Sequence, residues 1–183
     1  MADEDAEQNA VPRKSVTWIT RYGQILTVLL VQAIFVVACI SLFLMLSGMG
    51  QLEDMNATET MVMLAGGFLP LVVSVISMFM MVKVKFRKAI EVYQVSGDSP
   101  SLPILTDQPL SEPLEKLLFA FTAATHKCQA FFFTSATINL VLVYFDESWL
   151  HLVLAFLSVF AIVWLTPTIG RLARFIQNAL DRK

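Results

Sequence analysis

Charge is what this chain has least of. Only 15% of its 183 residues are Asp, Glu, Lys or Arg, whereas 56% are hydrophobic, and the mean hydropathy is +0.67. Soluble domains are roughly 25% charged and 45–50% apolar, so the excess predicts lipid-facing surface. Cysteine is scarce as well. Cys39 and Cys128 cannot build a disulfide framework; their expected depths differ, so both are read as small buried apolar side chains. No long apolar run contains an acid, which removes the intramembrane carboxylate that proton-coupled carriers use. Cys-x-x-Cys, Gly-x-Ser-x-Gly, His-Glu-x-x-His and glycine-rich phosphate loops are all missing. Without a nucleophile–base pair, neither an enzyme nor a cofactor is expected. A net charge of −2 is no argument for a nucleic-acid partner, and none is expected.

What is present is organised around Lys83-Val84-Lys85-Phe86-Arg87-Lys88, which follows directly on an apolar run at 61–82. Lys and Arg resist translocation, so such a cluster marks the cytoplasmic end of a membrane span. About 20 apolar residues cross a hydrocarbon core ~30 Å thick. The runs at 25–46, 61–82, 129–145 and 149–166 therefore predict four spans arranged as two hairpins, 16–82 and 129–169. The first run is too long for a cleaved signal's apolar core and reads as a retained anchor. With the N-terminus inside, all 13 Lys and Arg fall in cytoplasmic segments or at a cytoplasmic interface. The two outer turns hold Glu53, Asp54, Glu59, Asp146 and Glu147 without a base. The expected fold is thus an all-α integral membrane protein with both termini cytoplasmic, in a cell or inner membrane.

The remaining segments fit that frame. Residues 1–15 read as a disordered acidic tail, and Trp18 and Tyr22 among Arg13, Lys14 and Arg21 read as interface residues. Asn56-Ala57-Thr58 matches a glycosylation sequon by chance, being only a few residues from a span. Residues 83–128 should form a short basic helix, a Pro-rich loop over 96–111, and an amphipathic helix. Ser111 is the expected N-cap of that helix, and Leu114, Leu117, Leu118, Phe121, Thr125 and Cys128 its apolar positions. At 170–183, Leu172, Phe175, Ile176, Ala179 and Leu180 make a stripe expected to lie flat on the cytoplasmic leaflet. Lys83, Lys85, Arg87, Lys88, Arg171 and Arg174 are the expected membrane-surface cations. The two halves echo each other in charge order, but any four-span chain obeying the positive-inside rule does so, and no duplication is inferred.

Two sets of polar positions are candidates for function. In span two, Gly66, Pro70, Ser74 and Ser77 share a helical face that favours close packing. Pro70 should also bend the helix there. In span three, Thr134, Ser135, Thr137 and Asn139 are polar, with Gln32 of span one available as a partner for Asn139. Intramembrane amides act as interhelical hydrogen-bond glue, so the expected function is an accessory, scaffold or assembly subunit with a membrane-protein partner or a second copy. The alternative is a small channel or carrier for a neutral or weakly polar solute, lined by Gln32, Ser74, Ser77, Thr134 and Asn139 with Pro70 as a flexure. His126 and Cys128 are a poor ligand pair, two positions apart on a helix. His151 reads as an isolated interfacial residue. The methionines around the first outer turn, including Met45, Met49, Met55, Met61 and Met63, are read as apolar filler rather than a copper site.

Overall fold

The computed structural model describes residues 14–47, 56–98 and 107–181; residues 1–13 of the acidic tail, Met49, Met55 and half of the Pro-rich loop lie outside the described residues. Of the described residues 88% are helical, and there are no strands among them. The helices are α1 (Val16–Leu46), α2 (Ala57–Met80), α3 (Arg87–Val95), α4 (Glu112–Asp146), α5 (Trp149–Trp164) and α6 (Ile169–Asp181). A π-helical turn, Met81–Phe86, joins α2 to α3 without a break. Three helical segments are long and apolar enough to cross a membrane, or four if the bent pair α5–α6 is counted as one span.

Local chemistry sets the ends of these helices. The Ser15 hydroxyl accepts the Trp18 N–H at 3.2 Å and opens α1. Asn56 accepts the Thr58 and Glu59 N–H groups while the Glu59 carboxylate takes the Asn56 N–H at 2.9 Å, a reciprocal cap. The apparent sequon is therefore a helix start. Ser111 does occupy the N-cap position of α4, but its hydroxyl donates to Asp98 at 2.5 Å instead of capping. Glu147 closes α4 in the left-handed region, φ 52°, and Ser148 N–H bonds Asp146 Oδ1 at 2.9 Å to make the tight turn into α5.

Helix length explains why there are two cores. At 1.5 Å per residue, the 31 residues of α1 and the 35 of α4 reach about 46 and 52 Å. The apolar half of α4 packs with α1, α2 and α5 around Ile34, Phe132, Ala136, Leu140, Ala155 and Ile162. The excess length builds a second core at the basic end of the bundle, where Ile19, Ile90, Tyr93, Leu118, Phe121, Leu172 and Phe175 meet. There Phe86, Phe121 and Phe175 cluster with ring centroids 4.8 to 5.2 Å apart.

This second core corrects one expectation. The stripe Leu172, Phe175, Ile176 and Ala179 is buried against the chain's own helices rather than presented to a lipid surface. The chain bends 64° between α5 and α6. Pro167 lies in that bend and packs so closely on α1 that a Cβ on Gly23 would sit 2.7 Å from its ring. Leu114, Leu117, Leu118, Phe121, Thr125 and Cys128 are likewise covered by protein. The prediction for Cys39 also fails: it is exposed, while Cys128 is buried with its thiol 3.6 Å from the Met81 sulfur.

Candidate functional site

The buried polar side chains that bond between helices gather in two clusters along α4. The first lies beside the α4–α5 turn. His151 is fully buried, 0% exposed, and its Nδ1 is 2.8 Å from Asn139 Oδ1 while its Nε2 is 2.9 Å from Asp146 Oδ2. The Asp146 side chain is 2% exposed. Asn139 Nδ2 donates to the Gly67 carbonyl on α2 at 3.1 Å and to the Ser135 carbonyl at 2.9 Å. One turn deeper, the Ser158 hydroxyl donates to Leu154 O and lies 3.1 Å from the Ser135 hydroxyl.

Hydrogen accounting settles the orientation of this network. Both partners of Asn139 Nδ2 are carbonyls, which only accept, so Asn139 Oδ1 must face His151. An amide oxygen cannot donate, so His151 Nδ1 carries the hydrogen. Nε2 then faces a carboxylate oxygen, and that bond needs a hydrogen on one of the two atoms.

Gly67 makes the site possible. A Cβ there would lie 2.5 Å from both Asn139 Oδ1 and His151 Nδ1, so no larger residue lets α2 approach. Gly66, by contrast, is exposed, and a Cβ on it would meet only Leu142 Cδ1 at 3.8 Å.

The second cluster repeats the device near the basic end. Gln129 Nε2 donates to the Ile162 carbonyl of α5 and to Thr27 Oγ1 of α1, both at 2.9 Å. Its Oε1 is 2.7 Å from His126 Nδ1, which therefore also carries hydrogen. Thr27 passes its own hydrogen to the Gly23 carbonyl at 2.9 Å. His126 Nε2 and Thr137 Oγ1 are buried without partners.

Of the predicted polar residues, Ser135 and Asn139 belong to the first cluster. Ser74 is buried on α2 and donates to the Pro70 carbonyl at 2.7 Å; Pro70 and Ser77 are partly buried. Thr134 is exposed and bonds its own Ala130 carbonyl. Gln32 is exposed on α1 and does not reach Asn139, whose bonds go to Gly67, Ser135 and His151. His151 is not isolated, and an acid of α4 is buried although no apolar run contains one.

The basic positions divide between sides. Lys85 and Lys88 border one groove, and Lys83 and Arg87 border another, where Arg87 is paired with Glu91 at 2.9 Å. Arg171 lies 5.6 Å over the Trp164 ring, and Arg174 is exposed.

Residues missed by sequence reasoning are Gly67, Asp146, His151, Gln129, Thr27 and Ser158. One signal would have found some of them. Ser135 with Ser158 and Gln129 with Ile162 stand at similar distances on either side of the turn at Asp146 to Ser148, and Asn139 and His151 flank it more closely. A tight turn aligns residues equidistant from it in an antiparallel hairpin. No family model, no characterised protein and no solved structure matches this chain.

Proposed function

We propose that the chain is a four-span integral membrane protein with both termini cytoplasmic, and that it works as a non-enzymatic accessory or scaffold subunit by packing against a partner span. The observation that carries this reading is Gln32. It stands on the exposed face of α1 among Val28, Leu29, Phe35 and Val36, all at least half exposed. The other amides of the apolar core, Gln129 and Asn139, spend their hydrogen bonds inside the bundle. An amide left in hydrocarbon costs several kcal/mol, on the order of 4–8 on a cyclohexane scale, so a neighbouring helix is the natural source of its partner.

The carrier alternative draws no support from its proposed lining. Ser135, Asn139 and Ser74 are occupied by carbonyls and by each other, and Gln32 and Thr134 face away from them. The test is sizing after mild detergent extraction, comparing the wild type with Gln32→Leu and identifying co-purifying proteins. Wild type should run as a discrete assembly, and Gln32→Leu should weaken it by about tenfold, the effect of 1–2 kcal/mol. An unchanged assembly in Gln32→Leu removes that face from the interface, and a lone wild-type monomer overturns the subunit reading.

A further inference from the structure

The basic segment does more than mark a topology, because helical spacing deals its cations to two sides. Lys85 and Lys88 border a groove of about 520 Å³ between α3 and the first turns of α4. Lys116 lies on the opposite wall, from α4. The floor is apolar, built from Val92, Tyr93 and Leu117 among others. One acid, Glu112, also lines it and is bonded to Lys116 at 2.6 Å. Three cations against one acid leave the groove positive.

The Tyr93 side chain is buried, 3% exposed, and lines the groove with its hydroxyl beside the Asp98 carboxylate. Burial first, and the Asp98 carboxylate second, push this phenol up to about 12. It remains a neutral O–H donor at ordinary pH. An apolar floor and a positive rim together match an amphiphile with an anionic oxygen-bearing head. The companion groove fits less well, since it sets two cations, Lys83 and Arg87, against one acid, Glu91, where the first sets three against one.

We propose that the groove between α3 and α4 binds an acidic phospholipid, its phosphate held by Lys85, Lys88 and Lys116 and an acyl chain laid over Val92 and Leu117. This rests on the membrane-spanning reading, which places the groove where the apolar helices leave the bilayer. Basic pockets at that depth are suited to anionic headgroups. Bilayer lipid rather than free phosphate is the ligand, because the floor offers apolar area that inorganic phosphate cannot use.

The full chain in mild detergent, offered equal amounts of phosphatidylglycerol and phosphatidylcholine, should retain phosphatidylglycerol selectively by native mass spectrometry. Lys85→Ala with Lys88→Ala and Lys116→Ala should weaken that retention on the order of a hundredfold, as three lysines at a charged leaflet imply. Arg171→Ala with Arg174→Ala removes cations that do not line the groove and should leave retention unchanged. Lys88→Ala alone, which disturbs packing least, should weaken it several-fold and covers the case in which the triple variant does not fold. Equal retention of both lipids, equal loss in the arginine variant, or full displacement by millimolar inorganic phosphate would overturn the proposal. Recovery of the protein in the soluble fraction after alkaline extraction would instead refute the membrane reading itself.

Discussion

At the scale of single residues, the most informative atom is the Nε2 of His151. It is fully enclosed and faces Asp146 Oδ2, while Asp146 Oδ1 accepts the Ser148 N–H. Asparagine can meet both demands: its oxygen takes the Ser148 N–H, and its NH₂ donates to a bare Nε2 on a ring that keeps its hydrogen on Nδ1. Asp146→Asn should therefore change stability by less than about 1 kcal/mol, whereas Asp146→Ala, which strands a buried ring nitrogen, should cost about 1–3 kcal/mol. Unfolding in detergent followed by circular dichroism reads both. Equal losses would mean that the charge pair, rather than the hydrogen bonds, holds the turn.

At the scale of elements, the contact between α2 and α4 depends on one position. Gly67 leaves room for Asn139 and His151, and a methyl group 2.5 Å from each must displace them or lift α2 away. Gly67→Ala should cost about 1–3 kcal/mol, the usual penalty for overpacking, plus the Asn139 bond to the Gly67 carbonyl if α2 shifts. Gly66→Ala, one residue round the same helix and open to the outside, should be neutral within about 0.5 kcal/mol. Thermal unfolding of the two variants side by side is the check, and a Gly66→Ala that destabilises as much would place the packing face where composition alone puts it. The same element scale explains α6. Its apolar stripe is regular enough to suit a lipid surface, but α1, α3 and α4 overrun the apolar layer far enough to cover it.

At the scale of the whole molecule, charge sorts the ends. The described lysines and arginines lie at the end opposite Asn56, Glu59 and Asp146. Reporter fusions at the N- and C-termini should both report a cytoplasmic location, and a reporter inserted beside Asp54 the opposite side. Split termini would break the proposed four-span arrangement and make the bent α5–α6 pair something other than a span plus a cytoplasmic helix.

The sequence by itself determined the order of the helical segments, the tight turn at 146–148 and the charge asymmetry, because these follow from local composition. It also named Ser74, Ser135 and Asn139 as packing or lining candidates, but together with Gln32, Gly66 and Thr134, which are exposed. It could not orient α2 to within one residue, since Gly66 and Gly67 serve helical periodicity almost equally well; only the neighbours Asn139 and His151 choose between them. Nor could it pair Asn139. Gln32 and His151 both offer a hydrogen-bonding side chain at a plausible depth, and the rotation of α1, which turns Gln32 outward, decides for His151. Partnerships between helices depend on rotation and register, which arise from packing several helices at once. Only the tertiary structure holds that information.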